Sequence, residues 1–216
     1  MTTETLPRPT PGRPRAPAAR GASRLAVLAL LLAAACGTTP PTRWFVLVPT
    51  APVPGSLTRP DLSVAIEPVV LPASLQRPQL VTRIGQHELH LADFERWAEP
   101  LEDNMGAVLA EDLGRLLGTD RVSSGAGQRL QQVQRRVSVE VLRLDGEPGD
   151  ELVLVARWIL RDASGEPLGS GRTRHAEPLA DDAPETFVRS LNLCVGALAR
   201  DVASALVAAG GPLAGS

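Results

Sequence analysis

The chain has no lysine and no tyrosine, only two cysteines and three histidines, and aromatic side chains make up just 3% of its 216 residues. Every one of its 22 basic residues is therefore arginine. We read the missing lysine as a compositional bias rather than a phosphate-binding device. The charge balance points the same way. Formal net charge is −2, and without residues 1–35, which hold five arginines and one acid, the remainder carries 17 basic and 23 acidic residues, a net of −6. An acidic domain is a poor partner for nucleic acid, whose phosphates require a basic surface. Two cysteines cannot make a disulfide framework, and Cys194 falls within a helical apolar pattern beside Leu191, Val195 and Leu198. It reads as a buried, inert thiol, because free cysteine behaves as a small hydrophobe. Cys36 is then left without a sulfur partner.

No apolar run near the start is long enough to cross a bilayer. Leu25 to Ala35 is apolar and small, and a helix of about 11 residues spans roughly 16 Å against about 30 Å of hydrocarbon. The preceding 24 residues are rich in arginine and proline and contain a single acid. A basic leader, a short apolar region and small residues before a cut site describe an export signal. Leu32-Ala33-Ala34-Ala35-Cys36 resembles a bacterial lipobox, in which the cysteine sulfur takes a diacylglycerol and a peptidase cuts just before it. Ala33 stands where leucine is usual. The alternative is an ordinary secretory signal with a chance cysteine. On the lipobox reading, residues 1–35 are removed, Cys36 becomes the lipidated first residue, and 36–42 form a tether reaching at most roughly 25 Å. Gly37, rather than aspartate, follows the cysteine. By resemblance to bacterial sorting rules, this directs the protein to the periplasmic face of the outer membrane.

From Arg43 the pattern is that of one domain, residues 43–209, with a frayed tail at 210–216. Arg43 to Val48 reads as a buried strand, Leu62 to Pro68 as a second with Leu62, Val64 and Ile66 on one face, and Gln79–Ile84 with His87–Leu91 as a hairpin about Gly85-Gln86. Leu101, Met105, Val108, Leu109, Leu113, Leu116 and Leu117 line one face of a helix that Gly118 ends. Glu102, Asp103, Glu111 and Asp112 fall on its other faces. Val137, Val139 and Val141 alternate, then slip register at Leu142 and Leu144, which predicts a bulge. Glu151 to Asp162 is apolar on both faces, so it predicts a covered central strand. Leu168 to Glu177 carries glycines and reads as an edge strand. Asp181-Asp182 offers a cap for a last helix whose stripe runs from Phe187 through Leu191, Val195, Leu198 and Val202 to Leu206. The fold class is α/β: a single-domain layered sandwich, with a mixed, mainly antiparallel sheet and two amphipathic helices.

Catalytic and metal-binding patterns are missing as well. His87 and His90 stand three apart on an expected strand and point to opposite faces, poor geometry for a shared metal even with Asp93 and Glu95 nearby. His175 has no G-x-S-x-G serine to activate. Ser123 to Gln128, SSGAGQ, lacks the P-loop lysine and reads as a flexible loop. No metal, no cofactor and no catalytic residue are expected.

Two stretches carry a resemblance. They are LPASLQRPQLVTR, Leu71 to Arg83, and RWAEPLEDNMGAVLAEDL, Arg96 to Leu113. Together with the lipobox they resemble the PqiC-type lipoproteins, auxiliary subunits of ABC-type transporters with MCE partners. Trp44-Phe45 occupies the place of that family's aromatic pair, usually tyrosines. The resemblance implies a non-enzymatic outer-membrane subunit. It would work with an MCE-domain protein and, through it, an inner-membrane permease, moving lipids or other apolar molecules and supporting membrane integrity. Homo-oligomer formation is a further expectation by analogy. Arg77, Arg83, Arg96, Trp97 and Glu99 are the candidate partner or oligomer contacts. The competing reading is internal, an arginine–glutamate pair with Trp97 packed on the sheet. Two other roles stay open: a structural lipoprotein anchoring another envelope complex, and a lipid-handling hydrolase using Ser74, Ser123, His87 or His175.

Overall fold

Two sheets share one hydrophobic core in the computed structural model, which describes residues 40–51, 57–125 and 133–210. Cys36, the leader, the rest of SSGAGQ beyond Gly125 and the tail from 211 lie outside the described residues. The described chain from Pro41 onward belongs to one compact unit.

The strands are β1 (Arg43–Phe45), β2 (Val64–Ile66), β3 (Gln79–Ile84), β4 (Glu88–Trp97), β5 (Val122–Ser124), β6 (Arg135–Gly146), β7 (Glu151–Asp162) and β8 (Pro167–Pro178). The helices are α1 (Leu101–Leu117) and α2 (Pro184–Ala209). One sheet has the order β1-β4-β3, the other β5-β2-β6-β7-β8. The sequence pattern predicts a single sheet, and the structure corrects this to two. The chain makes two because β1 and β2 each pair in parallel with strands distant in sequence, β1 with β4 and β2 with both β5 and β6. Period-2 patterning is blind to such pairings. The β3–β4 and β6–β7–β8 pairings are antiparallel.

β6 shows why the register slip was legible. Val137, Val139 and Val141 stand opposite Leu160, Trp158 and Ala156, and the shift between Val141 and Arg143 then sets Leu144 opposite Leu154. Without the extra residue, Leu144 would face outward, since a one-residue slip turns every side chain to the other face. With it, Leu144 stays buried opposite Leu154. β7 is the covered central strand expected of it, and β8 is an edge.

Helix α1 packs on β2 and β5, α2 packs on β7 and β8, and the two helices pack on each other. Gly118 ends α1 in the left-handed conformation at φ 65°, as a glycine without Cβ can at little cost. The 26-residue α2 is apolar enough to span a membrane by composition, but its inner row from Phe187 to Leu206 is buried in the core. The expected aspartate cap is not made: Ala183 is the N-cap, Pro184 opens the helix, and Asp181 accepts the Ala183 N–H one turn earlier.

Two expectations need correction here. The segment Arg43 to Val48 is not a buried strand. Strand geometry ends at Phe45, and Trp44, Val46 and Val48 are exposed while Leu47 is buried. Asp112 does not lie on the wet face of α1, because it is fully buried. The two corrections share a cause. Beyond Phe45 the chain leaves the sheet and crosses the helix pair, held by polar side chains that reach out of the core. Asn104 on α1 accepts the Leu47 N–H at 2.6 Å, Asn192 on α2 accepts the Val48 N–H at 2.9 Å, and Asp112 accepts the Ala51 N–H at 2.8 Å. The Thr50 hydroxyl donates to the Asn192 carbonyl at 3.1 Å. Each buried donor of this strap thus finds an acceptor, as burial of backbone requires.

Candidate functional site

A concave surface lined by motif residues lies where β4 hands over to α1. Trp97 ends β4, pairs with Phe45 of β1, and its backbone N–H donates to the Pro78 carbonyl at 2.7 Å. The Ala98 N–H donates to the Phe45 carbonyl at 2.9 Å, and Pro100 then starts α1 without a side-chain cap. On the other side, the short 3-10 turn Ala73–Leu75 delivers Gln76, whose amide donates to the Leu71 carbonyl at 2.8 Å. These bonds hold Gln76–Pro78 and Trp97–Pro100 as facing walls of a groove of about 370 Å³, with Trp44 and Glu102 completing the rim.

The structure therefore brings together three of the five contact candidates: Arg77, Trp97 and Glu99 all line this groove. Trp97 is also a core residue, 4% exposed, so it belongs to both the packed and the concave side. Arg96 is half-buried one residue before it, opposite Trp44 on β1 and Gln79 on β3. Among the described residues no ion pair joins Arg77, Arg96 or Glu99, so the arginine–glutamate pair weighed from sequence is not formed there. Arg83 lies apart, on β3. Its guanidinium donates to Asp145 Oδ2 on β6 at 2.7 Å and to the Gln86 carbonyl at 3.0 Å, and Arg143 donates to the same carboxylate at 2.8 Å. Burial alone would raise the Asp145 carboxyl, but the bonds from Arg143 and Arg83 outweigh it and hold the group below the usual carboxylate range. Arg83 thus fastens the β3–β4 hairpin to the larger sheet.

The groove lining includes no serine, cysteine or histidine. Two indoles, a guanidinium and two carboxylates suit recognition of a polypeptide or another amphipathic surface, in which aromatic and arginine groups anchor contacts. The residues weighed for hydrolysis are dispersed. Ser74 is in the 3-10 turn, Ser123 on β5 and His175 on β8, and β5 and β8 are opposite edges of the larger sheet. His175 contacts Asp201 at 2.7 Å. His87 lies in the hairpin turn rather than on a strand, with His90 exposed on β4. No group of three metal-binding side chains occurs among the described residues. Cys194 is fully buried and free, and burial pushes its thiol up to about 12, matching the inert thiol read from its position.

Sequence reasoning missed the strap residues Asn104, Asp112 and Asn192, and it missed the exposure of Trp44. A signal for Asp112 existed: it stands four residues from both Val108 and Leu116, squarely on the apolar stripe. Asn192 similarly stands four after Val188 and three before Val195.

A family model described as the ABC-type transport auxiliary lipoprotein component matches residues 45–203. Among solved structures, a crystal structure of a protein from Xanthomonas campestris is similar with a TM-score of 0.63 at 12% identity, covering 77% of this chain and 96% of that one. A second crystal structure, of an uncharacterised protein, gives a TM-score of 0.62 at 18% identity, covering 77% of this chain and 99% of that one. Identities this low speak for the fold alone. No curated protein matches the sequence.

Proposed function

This chain belongs to the ABC-type transport auxiliary lipoprotein family, and from that premise we propose that it is the non-enzymatic, lipid-anchored subunit of an MCE/ABC-type envelope transport system. Residues 1–35 are its signal peptide, Cys36 carries the lipid, and the domain from residue 43 stands on the periplasmic face of the outer membrane. There it receives an MCE-domain protein that connects to an inner-membrane permease, and the assembled system moves lipids or other apolar molecules. The observation that carries the reading is the family match across nearly the whole folded domain. Two features of the site support it. The motif residues Arg77, Trp97 and Glu99 converge on one groove without a nucleophile. The chain also enters the fold at β1, whose Trp44 lies on the rim of that groove, so a tether of seven residues keeps the groove near its membrane.

The groove is the proposed partner contact. Its arginine, Arg77, shares the lining with two acids, Glu99 and Glu102. A partner segment with an apolar side chain beside Trp97 and an acid for Arg77 would fit it. The test is co-purification from cells expressing the full chain. An MCE-domain protein should be retained by the wild type and lost in Arg77→Glu with Trp97 left intact. Deletion of the gene should sensitise cells to detergents. Retention of no such protein, with unchanged permeability, would overturn the proposal.

A further inference from the structure

Trp44 is 61% exposed, although the chain has only three tryptophans and the other two, Trp97 and Trp158, are 4% and 8% exposed. Its exposure is not isolated. Val46 and Val48 follow at alternate positions and are about half exposed, whereas Phe45 and Leu47 between them turn inward. The extended backbone thus presents an apolar row of three side chains outward while anchoring on the other side.

The backbone of this segment is already partly bonded within the protein. β1 bonds to β4, and the Leu47 and Val48 N–H groups are held by Asn104 and Asn192. Such a segment can approach an apolar environment without stranding those donors, which is the main cost of putting backbone there. Arg43, at the head of the row, is paired with Glu185 and lies 5.2 Å from the centre of the Phe45 ring, so its charge is already answered within the protein.

We propose that the row Trp44, Val46 and Val48 seats the domain on the lipid surface that holds its anchor, with the Trp44 indole in the headgroup region. The inference rests on lipidation of Cys36 as proposed above. Three arguments select a membrane as the occupant. The row begins two residues after the end of the tether, so whatever holds Cys36 is within roughly 25 Å of it. Tryptophan favours the membrane interface, where its ring is apolar and its N–H wet. Once tethered, even a weak apolar contact is made at high effective concentration. Charge does not drive the contact, because Arg43 is paired and the nearby groove rim is acidic. The seating should therefore persist at high salt and on vesicles poor in anionic lipid.

Trp44 reports on itself, because the other two indoles are buried. The mature lipoprotein, purified in detergent, is reconstituted into phosphatidylethanolamine-rich vesicles containing lipid brominated near the headgroup end of its chains. Flotation reads the anchor, and quenching of tryptophan emission reads the seat. The expected result is a blue-shifted, bromolipid-quenched component that disappears in Trp44→Phe. In a Val46→Asp/Val48→Asp variant that floats and melts like the wild type, that component should turn red-shifted and unquenched. Protein that floats while Trp44 stays open to acrylamide and untouched by bromolipid overturns the seat alone. So does protein in which Trp44 is shielded from both quenchers, the mark of a second copy or another protein on this face. Protein that fails to float overturns the anchor and the seat together.

Discussion

Asp112 accepts the backbone N–H of Ala51 through Oδ1 at 2.8 Å, while its Oδ2 is buried without a partner among the described residues. Burial pushes this carboxyl above its usual range, against the backbone bonds from Ala51 and Thr50 and the charge of Arg115. The folded protein therefore binds the Asp112 proton more tightly than the unfolded chain does. That contribution is fully present below the unfolded carboxylate range, about 3.9, and is lost as pH rises through the raised folded value. Asp112→Asn keeps the Oδ1 acceptor and cannot ionise. Its stability relative to wild type, from urea unfolding at several pH values, should improve as pH rises through the raised folded value and level off above it. Asp112→Ala leaves the Ala51 donor unmet and should cost about 1–3 kcal/mol at low pH, and less as pH rises, because it too removes the group that titrates.

Asp145 should behave in the opposite sense. Its carboxyl is held low by Arg143 and Arg83 despite burial, so its contribution is present above the unfolded carboxylate range and lost as pH falls through the folded value. Arg83→Met leaves Arg143 as a partner and should destabilise by roughly 1–3 kcal/mol, within the range for a charged group losing a hydrogen bond. The loss should shrink on acidification. Hydrogen exchange should quicken first in the β3–β4 hairpin, which Arg83 fastens to β6.

Gly171 stands opposite Trp158 in the β7–β8 register, and a Cβ there would run into the indole ring. Gly171→Ala should cost about 1–3 kcal/mol as overpacking. Gly169, two residues earlier on the same strand, has open space where its Cβ would go. Gly169→Ala should leave the melting temperature unchanged or raised, which separates the steric effect from any general dislike of substitution in β8.

On α2, a Cβ at Gly196 would collide with the Thr50 hydroxyl. Gly196→Ala should destabilise the domain and free the strap, and adding Thr50→Ala should recover part of the loss. A double-mutant cycle measured by chemical unfolding would show that coupling. Additive effects would mean that the collision is relieved by some other shift.

Cys194 should resist thiol reagents in the native protein and react at once in denaturant, because its thiol is buried and pushed up to about 12. Rapid native labelling of this residue would show that α2 opens readily.

The parts of the fold that local chemistry dictates were legible in the residues. Leu101 to Leu117 announced a helix and Gly118 its end. The slip from Val141 to Leu144 announced the bulge, and the doubly apolar run after Glu151 announced the central strand. What escaped was set by contacts distant in sequence. Nothing near Val64 says that its strand lies between β5 and β6 in parallel, and nothing near Arg43 says that β1 pairs with β4. Asp112 was misread because a carboxylate on an apolar stripe looks like a boundary residue until the strap it serves is seen. The groove was half legible. The motif arginine, tryptophan and glutamate were picked out, but Trp44 joins them only because β1 runs alongside β4.

The strap also determines how the domain answers a pull on the chain that enters it at Arg43. Force entering at Arg43 along the chain meets the β1–β4 bonds side by side. Only behind them does it reach the three clasps at Leu47, Val48 and Ala51, which sit on two different helices. The pull is met first by the sheet and then by clasps on both helices, so the entry of the chain is fastened twice over.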